Sequence, residues 1–473
     1  MDFGTLSQNT VLCCVIEKGP ENMKKTLVAL LFYFLISIVF PYQVIAQVTA
    51  DHALVAEIYK IKVIDHHAHP LVVVNENEKD TGWDELSLGS TGESEIEKAL
   101  IPYRLSPASP ELINIWRALW GYAHSTINKE QAMELTEVKK RVMREQGDNY
   151  PAWILDKIGV DTMFANRRAM GRGLTAPRFQ LVTYADMLMF PLDNERARKE
   201  NPDHNSYYAS IELVLKQSLK DVHVARLPLT LDRYLTKVVA PVLQKHKRDG
   251  AIAVKFLTAY LRPLDITNPP VEKVRKVYAH YVNGGKPPAD EYKTLQDYLF
   301  RYIAREAGRI GLVVHIHTGF GIGHYFDVEG SNPLLLEHVF NDPTLRDTTF
   351  VIIHGGWPFA KQTASMLLKP NVYADFSAIA FLIYPRELSE IIRSWLEIEP
   401  QKVMFGTDAF DVGYMLLNWE EFTWLGTDSS RQALALALTG MMKDGEITSQ
   451  QAVGIARKVL RENAIKLYKL NGS

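Results

Sequence analysis

Short apolar runs that end in polar residues alternate with longer segments of helical periodicity from about residue 60 onward. This alternation is typical of βα units around a parallel sheet. We predict eight strands, at Lys62–Asp65, Val160–Ala165, Phe179–Tyr184, Ala251–Phe256, Leu312–His317, Phe350–His354, Val372–Phe376 and Val403–Gly406. Because eight parallel strands with intervening helices close into a barrel, the predicted fold class is α/β, a (β/α)8 TIM barrel.

The connection after the first strand is much longer than a barrel needs. From about residue 71 to 150 it holds a polar stretch containing Gly and Ser, followed by the helical patterns Pro110–Gly121 and Lys129–Gln146. We predict a long, mainly helical insertion here, of a kind that could form a lid. A second long connection carries the helical pattern Thr230–His246.

The N-terminal region predicts export. A Met-Lys-Lys sequence at 23–25 precedes the apolar run Leu27–Phe40, and Ala46 supplies a small residue before a cleavage point. This layout is typical of a bacterial secretory signal peptide, whereas a helix that spans a membrane needs about 18 or more apolar residues. We therefore expect a periplasmic or secreted protein without a stable membrane anchor, and an uncleaved anchor is the alternative.

These features divide the chain into three parts. We assign residues 1–22 to an upstream extension from a mis-assigned start, 23–46 to the signal peptide and 47–473 to the barrel. Cys13 and Cys14, the two cysteines of the sequence, both fall in the extension, so neither disulfides nor thiolate metal ligands are expected in the barrel.

The composition is that of an ordinary globular protein, with 47% hydrophobic and 23% charged residues among 473. The formal net charge of -2 offers no excess of positive charge for a phosphate backbone. Nucleic acid is therefore not expected as a partner. We expect a small-molecule substrate, and the assembly is either a monomer or a homo-oligomer.

The first predicted strand carries the strongest candidate chemistry, in Ile64-Asp65-His66-His67-Ala68-His69. Residues two apart on a strand point to the same side, so His67 and His69 can bind one ion. Asp65 falls on that face as well. The alternative is a polar strand end with His66 solvated or hydrogen-bonded.

Four other strands also end in groups that bind metals or anions: Lys255, His317, His354 and Asp408. Each alone has an ordinary structural explanation, such as an ion pair, a packed histidine or a helix cap. Together they occupy the carboxyl end of the predicted strands, where enzymes with a (β/α)8 barrel have their active sites, so we predict a divalent metal centre. Imidazole and carboxylate ligands suit zinc first, and also manganese.

The order of these motifs resembles the amidohydrolase superfamily. The phrases His317-Thr318-Gly319, His354-Gly355-Gly356 and Phe405-Gly406-Thr407-Asp408 are similar to its amidohydrolase-related branch, and the resemblance extends from about Lys62 to Tyr468. It implies a barrel enzyme that activates water with one or two metal ions.

The resemblance also implies roles. The paired histidines of the first strand would hold the first metal together with Asp408, which would also accept a proton from the attacking water. In members with two metals, His317 and His354 match ligands of the second ion, and Lys255 matches a lysine that is N6-carboxylated and bridges the pair. In members with one metal, His317 joins the first set and His354 acts as acid or base, while an unmodified Lys255 would bind an anionic substrate group.

Substrate contacts are expected from residues just beyond the strands. Tyr260 and Arg262 follow the fourth strand and Trp357 the sixth, and Arg262 either clamps a carboxylate or forms a surface ion pair. His315 lies one layer deeper than the ligand histidine of its strand, and Asp375 is placed to orient a ligand histidine.

Three functions fit this sequence. The first is hydrolysis of an amide, lactone or ester bond of a small molecule by metal-activated water. The second is a non-oxidative decarboxylase or hydratase, a lyase that one metal, an unmodified Lys255 and an anion-binding Arg262 would favour. The third is a barrel that binds a ligand without catalysis.

Overall fold

Eight strands pair in parallel in their order along the chain. The computed structural model describes residues 49–75, 78, 80, 102–107, 109–323, 325–411 and 416–470. The strands are β1 (Val63–Ala68), β2 (Val160–Asn166), β3 (Phe179–Tyr184), β4 (Ala251–Phe256), β5 (Val313–His317), β6 (Phe350–Ile353), β7 (Val372–Asp375) and β8 (Val403–Met404).

The two ends of this sheet meet. The backbone N–H of His66 donates to the carbonyl of Phe405 at 3.1 Å, and the N–H of Asp408 donates to the carbonyl of His67 at 2.6 Å, so β1 is joined to the chain just beyond β8. The sheet therefore curls into a barrel. All eight predicted strands and the predicted fold class are confirmed.

Eighteen α-helices lie among the described residues. They are α1 (His52–Lys60), α2 (Pro110–Trp120), α3 (Lys129–Gln146), α4 (Tyr150–Ile158), α5 (Asp186–Met189), α6 (Glu195–Glu200), α7 (Asn205–Asp221), α8 (Leu231–Tyr234), α9 (Ala240–Arg248), α10 (Val271–Tyr281), α11 (Ala289–Arg309), α12 (Glu337–Phe340), α13 (Ala360–Met366), α14 (Ile379–Leu382), α15 (Pro385–Leu396), α16 (Trp419–Lys443), α17 (Ser449–Arg457) and α18 (Asn463–Tyr468). A π-helical turn, Leu235–Val239, joins α8 to α9, so the predicted helix Thr230–His246 is one helical run that Thr230 caps.

The strands are apolar because parallel strands of a barrel are buried on both faces. All four residues of β6 are buried, for example. A large apolar core lies between the sheet and the helices, and a smaller one contains Phe164, Val182 and Met404. Tyr468 of the last helix belongs to this smaller core, and its hydroxyl lies 2.8 Å from Nε2 of His66.

The insertion after β1 has the predicted helices α2 and α3, while residues 81–101 lie outside the described part of the chain. Asn128 and Gln131 form a capping box at the start of α3. The indole N–H of Trp120 and the ammonium of Lys139 both donate to buried Glu421 of α16, at 2.8 and 2.7 Å. The insertion therefore packs on the helix that follows β8.

The chain divides into two units, Met1–Thr49 and Ala50–Ser473, and the second contains every element named above. The predicted signal peptide, residues 23–46, and both cysteines lie outside the described residues. Within the described ranges, no helix combines the length and the apolar character needed to cross a membrane.

Candidate metal centre

The predicted ligands converge at the carboxyl end of the barrel. His67 lies on β1 and His317 ends β5, while His354 directly follows β6 and Asp408 lies four residues beyond β8. The Nε2 atoms of His67 and His69 lie 3.0 and 3.2 Å from the same carboxylate oxygen, Oδ1 of Asp408. The fold thus brings strand ends that are distant in sequence to one point.

Three of these residues form a group that fits a metal ion. Ligand atoms of His67, His354 and Asp408 all lie within 4.8 Å of one another. The Nε2 atom of His354 is 3.9 Å from the other carboxylate oxygen, Oδ2 of Asp408. Two imidazole nitrogens and a carboxylate, with a third imidazole beside them, are the donor set that zinc and similar divalent ions prefer.

The protonation of the site also favours a metal. Burial lowers the pKa of His67 well below its ordinary value, and the positive charge of Lys255 lowers it further. Burial likewise lowers the pKa of His354, against the opposing effect of Asp408. Both imidazoles are therefore neutral, which is the form that has a lone pair for a metal.

Asp408 is held as a carboxylate. Burial by itself would raise the pKa of Asp408, but the neighbouring His354 and the hydrogen bond from His69 lower it to about 2. A carboxylate at this place supplies the negative charge that the buried histidines do not. It balances the charge of a divalent ion in part.

Lys255 lies inside the site. Its side chain is buried, and its Nζ atom is 3.0 Å from Nε2 of His67. The same Nε2 atom faces Asp408, so the lysine, the histidine and the aspartate form one contact group. The lysine thus stands where the resemblance places a lysine that is either carboxylated or unmodified.

His317, at the end of β5, lies next to His354, which follows β6. Its Nδ1 atom lies 3.0 Å from Nε2 of His354, and its own Nε2 atom is buried with no hydrogen-bond partner among the described residues. The ring of Tyr260 packs beside it, with ring centroids 4.4 Å apart. A buried ring nitrogen without a partner is an atom that a ligand would satisfy.

Two of the ligands adopt an unusual backbone. His354 has φ of 65° and Asp408 has φ of 58°, the left-handed region that residues with a Cβ seldom occupy. Asp65 holds the second turn, because its carboxylate accepts the N–H of Thr407 at 2.9 Å and its hydroxyl at 2.5 Å. Strained positions of this kind persist where the surrounding structure enforces them, typically at functional sites.

The residues predicted to contact substrate differ in position. Tyr260 is buried against the site histidine, and Trp357 is partly buried directly after the turn that carries His354. Arg262 instead donates to Asp297 at 2.6 Å and pairs with Asp265 at 3.3 Å. The guanidinium expected to hold a substrate carboxylate is therefore engaged by two carboxylates of the chain.

Sequence reasoning missed several partners of the ligands. The side-chain amide of Asn166 lies 2.9 Å from Nδ1 of His67, and Ser377 Oγ lies 2.9 Å from Nδ1 of His354. His66 is buried and bonded to Asp375 and Tyr468. Asn166, Ser377 and Tyr468 are common polar residues with no distinguishing pattern in the sequence. Asp375 was expected to orient a ligand histidine because it lies at the end of a strand.

The fold and the site together define a metal-dependent enzyme built on a (β/α)8 barrel. A family model described as Amidohydrolase, Amidohydro_2, matches residues 64–470. The chain therefore belongs to the amidohydrolase family, as its motifs predicted.

Among curated proteins, Protein fluG of Emericella nidulans is 25% identical over 234 residues, which are 47% of this chain and 26% of that protein. The match thus spans about a quarter of the relative's length. A uronate isomerase from Thermotoga maritima has a TM-score of 0.60 at 14% identity, covering 88% of this chain and 96% of that one. A Lactobacillus casei protein described as a metal-dependent hydrolase has a TM-score of 0.56 at 15% identity, covering 89% and 98%. At these identities the structural likeness shows the fold alone.

Proposed function

We propose that this enzyme is a hydrolase that cleaves an amide, lactone or ester bond of a small molecule, with one zinc ion at the centre and manganese as a substitute. The observation that supports it is the convergence of His67, His354 and Asp408 within 4.8 Å at the carboxyl end of the barrel. We take Lys255 to be unmodified, and an unmodified lysine has no oxygen atom with which to bridge a second ion.

When bound, the ion would supply a water molecule acidic enough to lose its proton near neutral pH and would polarise the scissile carbonyl. Asp408 would be the group that accepts a proton from the attacking water, because it lies beside the ligand histidines and its low pKa keeps it in the carboxylate form. Asp408 would then pass this proton on to the leaving group, while Nε2 of His354, 3.9 Å from Asp408 Oδ2, would serve as a metal ligand.

One ion and an unmodified Lys255 also suit the lyase, so Arg262 is the residue on which we favour hydrolysis. The lyase needed a free cation for an acidic substrate, whereas Arg262 is paired with Asp297 and Asp265. Lys255 also supplies positive charge at the site, and its Nζ atom lies 3.0 Å from Nε2 of His67. Because Arg262, one of the two cations expected to bind a substrate carboxylate, is already paired, we favour a neutral carbonyl substrate.

Metal content per chain, measured by elemental analysis, tests the proposal. Protein is purified without chelators from cells grown with added zinc or manganese, and His67→Ala is compared with His124→Ala, which changes a half-exposed histidine paired with Glu134. We expect one ion in the wild type and in His124→Ala and none in His67→Ala. Absence of metal under both loadings would refute the metal centre.

Activity is then measured on panels of amides, esters and lactones. Asp408→Asn should lower the rate by about a hundredfold or more, which is the usual contribution of a general base. Two ions per chain would indicate the scheme with a carboxylated Lys255. Release of carbon dioxide or isomerisation, without hydrolysis of any panel member, would overturn the proposed reaction while leaving the metal site intact.

We also propose that the chain is exported to the periplasm or beyond. The support is the sequence of residues 23–46, a charged start, an apolar run and a small residue before the cut. An extracytoplasmic hydrolase of this kind would need a metal ion but no diffusible organic cofactor.

A further inference from the structure

A continuous set of hydrogen bonds connects His354 to groups below the metal centre. The Oδ1 atom of Asp375 accepts the backbone N–H of His354 at 2.7 Å and the hydroxyl of Ser377 at 2.9 Å. The same hydroxyl oxygen lies 2.9 Å from Nδ1 of His354. Asp375 and Ser377 are fully buried, so water does not compete for these bonds.

The directions of these bonds follow from chemistry. A carboxylate only accepts, so the one proton of the Ser377 hydroxyl goes to Asp375. The oxygen of Ser377 is then left to accept, and Nδ1 of His354 must donate to it. The imidazole of His354 therefore carries its proton on Nδ1, and its Nε2 atom keeps a lone pair that faces the site.

The contact with His317 agrees with this assignment. Since Nε2 of His354 has no proton, the bond of 3.0 Å between the two rings requires a proton on Nδ1 of His317. In the metal-free site the lone pair of His354 Nε2 thus accepts this proton, and a metal ion would take the same lone pair in its place.

The other oxygen of Asp375 continues the network downward. Oδ2 lies 3.0 Å from Nδ1 of His66, whose Nε2 atom lies 2.8 Å from the hydroxyl of Tyr468. Nε2 of His315 lies 2.6 Å from that hydroxyl. This lower half fixes Asp375 in place, and through Asp375 it fixes the strained turn at His354, where φ is 65°.

We propose that Ser377 and Asp375 are positioning residues that set the tautomer of His354, with the proton on Nδ1 and the lone pair of Nε2 directed at the metal. This inference rests on the role of His354 in the proposed function. Groups that hold a ligand histidine in this way commonly contribute tenfold to a hundredfold to metal affinity.

The test uses the full chain in its metal-free form and the variants Ser377→Ala and Asp375→Asn. Ser430→Ala is the matched control, because Ser430 is a buried serine whose hydroxyl donates within α16 to the carbonyl of Gly426. The ring nitrogens of His354 are observed by NMR of protein labelled with 15N-histidine, and its signals are identified by their absence in His354→Ala. Zinc affinity is measured by competition with a chromophoric chelator.

We expect Nδ1 of His354 to be protonated in the wild type and in Ser430→Ala. In Ser377→Ala the two tautomers should mix, and zinc affinity should fall by about tenfold. Asp375→Asn should change the nitrogen signals of both His354 and His66. A proton on Nε2 in the wild type, or unchanged signals and affinity in Ser377→Ala, would overturn the inference.

The two readouts separate this inference from the proposed function. The tautomer is observed without metal or substrate, so it decides the role of Ser377 even if the enzyme catalyses another reaction. A role in folding alone would lower the thermal midpoint of Ser377→Ala and leave the His354 tautomer as in the wild type. That outcome would also count against the inference.

Discussion

The Nζ atom of Lys255 lies 3.0 Å from the Nε2 atom of His67, and both side chains are buried. An ammonium group so close to a metal ligand repels a divalent ion, whereas a carboxylated lysine would attract it. The two chemical forms of Lys255 therefore predict opposite effects of removing its charge.

We expect Lys255→Met to retain one metal ion per chain and to bind zinc more tightly, by about tenfold, because a buried like charge is removed. Competition with a chromophoric chelator measures the affinity. Added bicarbonate should have no effect on the wild type. Loss of metal in the variant, together with a dependence on bicarbonate, would instead establish the carboxylated form.

The turn that carries Asp408 gives a second prediction. Asp65 is buried and accepts the backbone N–H and the hydroxyl of Thr407, so Asp65→Ala would leave buried donors without an acceptor. We expect its free energy of unfolding to fall by about 3 kcal/mol, and that of Thr407→Val by about 1 kcal/mol. Thr407→Ser keeps the hydroxyl and should behave as the wild type in urea denaturation. If Asp65→Ala were as stable as Thr407→Ser, Asp65 would not hold this turn.

Much of this molecule could be predicted because burial leaves a simple pattern. Strands covered on both faces must be apolar, and polar residues at their ends are conspicuous, which is how His317 and Asp408 stand out. The residues that hydrogen-bond to these ligands do not stand out in the sequence in this way. Tyr468 reaches His315 from a helix 153 residues further along the chain, and a sequence pattern does not show that contact. Ser377 and Thr407 are likewise ordinary residues until the fold brings them to a ligand.

Arg262 shows the same limit and gives a third prediction. From the sequence its two roles, a substrate clamp and an ion pair, were equally open, because its partner Asp297 is 35 residues away on α11. We expect Arg262→Gln to lower the free energy of unfolding by about 2 kcal/mol, since it leaves a buried carboxylate with fewer donors. The KM of Arg262→Gln for any substrate found should stay within about twofold of the wild-type value, because a guanidinium paired with Asp297 is not available to bind substrate. Arg262→Lys, which keeps the charge, is the control. A raised KM of Arg262→Gln at unchanged stability would instead support the role of Arg262 in binding a substrate carboxylate.

Export gives a fourth prediction. If residues 23–46 are a signal peptide, the mature protein begins at Gln47, and mass spectrometry of protein from the periplasmic fraction measures this start directly. Leu31→Arg places a charge in the apolar run and should leave the protein unprocessed in the cytoplasm. Thr26→Ser, a neutral change beside the same run, is the control. A mature start other than Gln47, or processing that Leu31→Arg does not affect, would contradict the assignment.

The contact between the insertion and α16 should make stability depend on pH. Glu420 is buried, and the hydroxyl of Tyr150 in α4 donates to it at 2.6 Å. Burial raises the pKa of Glu420 to about 7, with Lys139 opposing and Glu421 adding to the rise.

The folded chain therefore binds a proton at Glu420 that the unfolded chain has already released near pH 4.5. The stability that this group contributes is complete below the unfolded pKa and is lost as pH rises to about 7. We expect the free energy of unfolding to fall by about 2–3 kcal/mol between pH 5 and 8 on account of Glu420. Glu420→Gln should flatten this dependence and exceed the wild type in stability at pH 8, as measured by urea denaturation across the range. Glu145→Gln, at an exposed position of α3, should follow the wild-type curve, and a Glu420→Gln curve with the wild-type slope would place the titrating group elsewhere.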